Sequence, residues 1–293
     1  MKKRRLGAAD AAFGIPAYAL LAGFTLLCIF PFYYMLINSI SGNDLVKTGQ
    51  ILFYPREIHF KNYQDIFRLN DIVDAALVSF ARTAIGTASC VLCTSFVAYV
   101  LSKKELWLRR VWYRFFVVTL YLNVGIVPWF INMQMLGLTD NFLAYVIGVV
   151  NPYNMVLTKA YVESLPPSLE ESAEIDGAGP LRVFFRIILP LSKPIIATTA
   201  VFTAVLQWNS FTDTLILMHS SKLYTLQFIL WRYLQSAPKV PPVAGPGGAV
   251  YIMPSITSIK MTISMVVVLP ILFVYPFFQR YFVKGIMLGA VKG

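Results

Sequence analysis

Of the 14 acidic residues in this 293-residue chain, five (Glu163, Glu170, Glu171, Glu174 and Asp176) fall within fourteen consecutive positions. Carboxylates gathered into one short polar stretch between apolar segments are suited to meeting a basic partner surface, since opposite potentials steer and orient docking. They are poorly placed for bond-breaking chemistry. The only histidines, His59 and His219, lie in distant loops, so no Ser–His–Asp arrangement can be drawn. No Walker A sequence occurs, and ATP would have to be bound by another polypeptide. Cys90 and Cys93 have the spacing of half a zinc site, but no second Cys or His pair follows. With Cys28 they read as small packing residues in apolar runs, outside any disulfide framework.

The acidic stretch is well punctuated. Pro166-Pro167 stop the preceding segment. Ser168 stands three residues before Glu171, the capping-box spacing, which predicts a helix from Leu169. Glu170 and Glu174, four apart, share a face as like charges, a strain that a basic partner would relieve. Gly177 fits the left-handed position that ends a short helix. Gly179-Pro180 opens a second helix that carries Arg182 and Arg186 and stops at Leu189-Pro190. Pro194 starts the next apolar run. The competing reading is a solvated loop with charged helices.

The elements that hold this loop are membrane spans. The chain is 57% hydrophobic and 13% charged, with a mean hydropathy of +0.65, far from the balance of a soluble domain. Its net charge of +11 is explained by basic residues flanking spans. No nucleic-acid-binding motif accompanies that charge. The expected fold is all-α, a single polytopic domain over 1–293. Six spans are expected at roughly 13–37, 75–101, 111–133, 141–161, 194–218 and 261–283, with the acidic loop at 162–193 between spans four and five. The run from Phe13 to Ile37 is too long for a signal-peptide core and reads as an uncleaved first helix. With the N-terminus inside, the inner segments carry 16 basic residues and the outer ones 8, which places both termini and the acidic loop in the cytoplasm. Outside, Leu223 to Leu234 reads as an interfacial helix, and 238–248 as a turn-rich Pro/Gly segment.

Charges inside spans are expensive and therefore informative. Arg82 in span two and Asp213 in span five lie at similar outer depth, so they could pair, line a wet cavity or, for Arg82, snorkel outward. Asn123, Trp129 and Asn132 fall in span three, Asn151-Pro152-Tyr153-Asn154 interrupts span four, and Trp208 and Asn209 lie in span five. Helix–helix hydrogen bonding would account for many such residues.

Glu171-Ser172-Ala173, three residues, Gly177, nine residues, then Ile187-x-Leu189-Pro190 resembles the cytoplasmic coupling motif of ABC importer permeases. Ser172 stands where that family usually has Ala. Trp208-Asn209-Ser210-Phe211 and Arg280 to Gly285 resemble carbohydrate importers of the maltose-permease type, most narrowly permease subunits of alginate importers. The resemblance implies a bacterial inner-membrane protein that forms part of a pathway for an oligo- or polysaccharide. It assigns coupling to the ATPase to Glu171, Ser172, Ala173, Asp176, Gly177, Ala178, Ile187, Leu189 and Pro190. It implies two ABC ATPase subunits that use ATP and Mg, a second and different permease, and an extracytoplasmic solute-binding protein. Alternating access would be driven by closure of the ATPase pair. Aromatic faces stack on sugars and amides take hydroxyls, so Arg82, Asn123, Asn154, Trp208, Asn209 and Asp213 are the candidate pathway residues. A secondary transporter or channel is the alternative, and it should show paired broken helices in two related halves. A membrane enzyme would need a catalytic cluster.

Overall fold

In lipid an apolar stretch can satisfy its own backbone only as a helix, and helices dominate the computed structural model. The structure describes residues 8–68, 70–122, 124–147, 150–235, 243–244, 250–251 and 256–290, with side chains over 14–68, 72–122, 124–147, 150–235 and 256–273. The chain runs through α1 (Ala8–Ser39), α2 (Asn43–Lys47), α3 (Lys61–Phe67), α4 (Asn70–Ser102), α5 (Arg109–Thr119) and α6 (Ile126–Met135). It continues through α7 (Leu143–Val146), α8 (Pro152–Val162), α9 (Ser168–Ile175), α10 (Pro180–Val183), a π-helical segment (Phe184–Ile188) and α11 (Leu189–Leu191). After α12 (Lys193–Asn209) and α13 (Thr212–Leu217) come a 3₁₀ turn (Ser221–Leu223), α14 (Leu226–Gln235), β1 (Val243–Ala244), β2 (Val250–Tyr251) and α15 (Ile256–Ala290). The expected all-α class holds apart from the two-residue antiparallel ladder that pairs Val243 with Tyr251. The ladder lies in and beside the turn-rich outer segment expected at 238–248, most of which is outside the described residues.

Among the described residues, three stretches are single helices long and apolar enough to cross a bilayer: Gly14–Ser39, Ile72–Ser102 and Ile256–Phe273. A fourth arises if Pro180–Leu191 and Lys193–Asn209, bent by 83°, count together. The expected spans at 111–133, 141–161 and 194–218 are each broken. The third breaks between Thr119 and Ile126, where Gly125 takes φ 78° ahead of α6. The fourth breaks before Pro152, and Asn151 caps α8 by accepting from the Asn154 N–H at 3.0 Å. The fifth breaks at Ser210, whose backbone is extended.

The described residues fall into two compact units. One takes residues 1–69 and 233–268. There the segment after α1 is a folded cap rather than open loop. Ile37, Val46 and Ile51 form its core. Buried Asn62 donates to the Ser39 carbonyl at 3.0 Å, and the Ser39 and Tyr63 hydroxyls meet at 2.8 Å. The other unit takes residues 70–232 and 269–293. Its centre is α4, which packs against α8 and α12. Tyr99 near the C-terminal end of α4 joins Val162, Val183, Phe184 and Ile188 in one core cluster. Leu226, Phe228, Ile229 and Leu230 of α14 are buried in protein, so these apolar residues face the fold rather than lipid. Cys28 and Cys93 are exposed rather than buried, and Cys90 is half-buried.

Candidate functional site

The acidic loop is a short helix with a firm stop. α9 begins at Ser168, one residue earlier than the capping-box spacing predicts, and no side-chain cap forms. The Pro167 carbonyl instead accepts from the Glu171 N–H at 3.1 Å. At the far end, the Gly177 N–H bonds the Glu174 carbonyl at 3.0 Å and the Ala178 N–H bonds the Ala173 carbonyl at 2.9 Å. With Gly177 at φ 76°, this is a Schellman motif, and glycine takes the left-handed position without a Cβ penalty. The motif turns Ala173 and Ala178 inward onto the Tyr99–Phe184 cluster. Glu171, Ser172, Glu174, Ile175, Asp176 and Gly177 face outward, with Ile175 86% exposed. Ser172 stands on the exposed face, and of this adjacent pair only Ala173 packs within the chain.

Beyond the turn, α10 starts with Pro180 at its first position. The π-helical segment then buries Phe184 against Phe96 and Tyr99, with ring centroids 5.3 and 5.4 Å apart. Ile187 and Leu189 pack on the same cluster, whereas Pro190 is exposed just before the bend into α12.

The neighbouring helix ends grip this loop through charge. Lys103, the residue after α4, makes an ion pair with Glu170 and lies 4.8 Å from the Tyr99 ring centroid. Arg109 pairs with Glu163, which also takes Lys159 at 2.7 Å. The like-charge cost of Glu170 and Glu174 is therefore relieved within the chain rather than left wholly for a partner. A cleft of about 820 Å³ opens here, lined by Lys103, Arg109, Glu163, Glu170, Glu171 and Glu174 among others.

The second feature is the pair Arg82–Asp213. Arg82 is 2% exposed, and its two terminal nitrogens donate to the two carboxylate oxygens at 3.1 and 2.6 Å. Its Nε and one terminal nitrogen also donate to Gln207 Oε1 at 3.3 and 3.0 Å, and the other donates to the Ser210 carbonyl at 3.4 Å. These five contacts match the five N–H donors of a guanidinium, so none is left over. The Tyr145 ring lies under the guanidinium, 4.4 Å from its carbon. Asp213 accepts further from the Ser210 hydroxyl at 3.1 Å and the Thr214 N–H at 2.9 Å. The Ser210 carbonyl, lost from the ladder where α12 ends, thus regains a donor from α4. Snorkelling does not describe Arg82.

Of the other pathway candidates, Asn154 is buried and donates to Thr203 Oγ1 on α12 at 3.2 Å, a helix–helix contact. Asn209 is exposed and donates to the Val205 carbonyl at 2.9 Å, one turn back in α12. Trp208 is half-buried on the same helix. Asn123 lies outside the described residues. Sequence reasoning missed Gln207, Tyr145 and Gly86. A Cβ on Gly86 would come within 2.8 Å of Gln207 Nε2 and 3.1 Å of the Tyr145 carbonyl, so this glycine makes room for the network. Its place one helical turn from Arg82 was the available signal.

Residues 90–288 match the family described as binding-protein-dependent transport system inner membrane component. The polygalacturonan/rhamnogalacturonan transport system permease protein YtcP of Bacillus subtilis is 34% identical over 96% of this chain and 98% of its own. Protein LplC of the same organism is 32% identical over 93% and 92%. A crystal structure of a bacterial ABC transporter involved in the import of the acidic polysaccharide alginate contains a chain that superposes with a TM-score of 0.87 at 29% identity, covering 96% of this chain and all of that one. The α9–Gly177 turn and its flanking segment lie within the matched residues, and the chain belongs to the family of inner-membrane permease components of binding-protein-dependent transport systems.

Proposed function

We propose that this chain is a permease subunit of a carbohydrate ABC importer, and that Glu171 to Ala178 is its contact with a separate ATPase. The observation that carries the reading is the two-sided build of α9. Its inner face is fixed by Ala173, Ala178 and the Glu170 ion pair, while Glu171, Glu174, Ile175 and Asp176 point outward together. A short rigid helix with a free acidic and apolar face fits a basic groove. Six crossings with both termini inside accord with the 16-to-8 basic bias, the three broken spans each counting as one crossing.

In this reading two ATPase subunits use ATP and Mg²⁺, a second permease completes the pathway, and an extracytoplasmic binding protein delivers the solute. Closure of the ATPases displaces α9 and the spans rock between outward and inward access. Relatives named for polygalacturonan/rhamnogalacturonan and for alginate make an acidic oligosaccharide the first solute to test. Arg82 has no donor to spare for its carboxylates. Trp208 and Asn209 remain pathway candidates, whereas Arg82, Asp213 and Asn154 shape the pathway from behind. The test is purification of the complex from membranes. ATPase subunits should co-purify, and candidate saccharides with the binding protein should stimulate hydrolysis. Uptake by the chain alone, driven by an ion gradient without ATP, would favour a secondary transporter instead.

A further inference from the structure

The acidic loop and the buried pair meet the same helix at two distant points. α4 is unbroken from Asn70 to Ser102. Lys103, immediately after it, holds Glu170 of α9, and Arg82 holds Ser210 and Asp213 at the break between α12 and α13. At 1.5 Å per residue these two grips are about 30 Å apart along one axis. The chain itself offers another route from α9 to the same break, but it is full of joints. It passes the Gly177 turn, the π-helical segment Phe184–Ile188 and the 83° bend before Lys193. Turns, π segments and bends absorb displacement, whereas a continuous helix packed along its length does not.

The geometry points to α4 as a connecting rod that carries movement of α9 to the α12–α13 break, with Lys103–Glu170 and Arg82–Asp213 as its two end fittings. The inference rests on the importer reading, in which α9 is what the ATPase moves. A displacement of α9 acts on Lys103, shifts α4 along its axis, and changes the seat of the Ser210 carbonyl and of Asp213. The cleft beside α9 leaves room for this movement, because on that side the helix is held by ion pairs more than by packing. Lys103 and Glu170 are thus positioning residues that never touch solute.

The experiment uses the whole transporter in proteoliposomes, with solute uptake and ATP hydrolysis measured on the same vesicles. Lys103→Ala and Glu170→Gln cut the inner fitting. The exchange Lys103→Glu with Glu170→Lys rebuilds it in reverse. Leu92→Gly with Cys93→Gly, both on the exposed face of α4, softens the rod away from either fitting. Phe185→Gly, also exposed, softens the covalent route. Cutting or softening the rod should lower uptake per ATP by about five-fold or more, the low end of coupling between distant sites. Assembly and basal hydrolysis should persist, the exchange should restore most of the ratio, and Phe185→Gly should change it little. An unchanged ratio in every rod variant, or a large loss confined to Phe185→Gly, would overturn the rod. Failure of any ATPase to co-purify would overturn the importer reading itself, and the rod with it, before a ratio is formed.

Discussion

The two ion pairs made by α4 and the residue that follows it, one buried and one half-exposed, use the same charges for different ends. At Arg82–Asp213 the side chains are 3% and 15% exposed, the guanidinium is bidentate, and every donor is used. At Lys103–Glu170 the side chains are 24% and 21% exposed, and one ammonium meets one carboxylate over a tyrosine ring. A buried pair is costly to form and far costlier to halve, because the survivor is stranded without water. A half-exposed pair contributes little and re-forms easily. The first suits a joint that stays shut and carries Ser210 and Asp213 with it, the second one that stays paired while its geometry adjusts as α9 moves.

That contrast sets the size of each expected effect. Arg82→Ala and Asp213→Ala should each destabilise the folded chain by about 3–5 kcal/mol, with partial recovery in the double variant, read as thermal stability in detergent. Arg82→Lys should rescue poorly, since an ammonium cannot reproduce the fork that reaches Gln207, Ser210 and Asp213. Gly86→Ala should cost about 1–3 kcal/mol as an overpacked contact against Gln207 and the Tyr145 carbonyl. Equal losses at Gly86 and at an exposed α4 position would erase the special place of the Arg82 network.

At the end of α9, Gly177→Val should cost about 1–3 kcal/mol through its φ of 76° alone, since a Cβ there meets nothing within 4 Å. Gly177→Asn should cost clearly less, because asparagine tolerates the left-handed region. Lys103→Ala should change thermal stability by about 1 kcal/mol or less and still impair coupling, and that split is what separates the two pairs. Smallest is an effect at the loop after α6. The exposed Asp140 carboxylate accepts backbone N–H bonds from Ser220 at 2.9 Å and His219 at 3.0 Å. These hold its carboxyl below the usual carboxylate range, the Ser220 contact most. Its contribution is therefore present above the unfolded Asp value of about 3.9 and fades as pH falls through the folded one. Asp140→Asn should lower thermal stability in detergent slightly at neutral pH and leave it unchanged in acid, where the native carboxyl is itself protonated.

How much of this could be read from residues alone varies along the chain. α1, α4 and α15 follow from long, mostly apolar runs. The stop at Gly177, the Pro180 start and the interruption at Asn151-Pro152 follow from local turn chemistry. The break at Ser210 carries no glycine or proline, and what seats it is a guanidinium 128 positions earlier in the chain. No local pattern could announce it. Arg82 and Asp213 were legible as a possible pair because charge in an apolar span needs a partner. Gln207, Tyr145 and Gly86, which complete that site, look from sequence like ordinary span residues. The Ser168 cap failed because Pro167 already supplies the carbonyl that starts the helix.

The most direct test of the ATPase contact is a photo-crosslinking residue at Ile175, the exposed tip of α9, in the assembled transporter. The account predicts a crosslink from Ile175 to an ATPase subunit that strengthens or weakens on ATP binding, and none from a matched probe at Lys222. Labelling at Ile175 by an impermeant reagent added outside, with no crosslink to any ATPase, would contradict it.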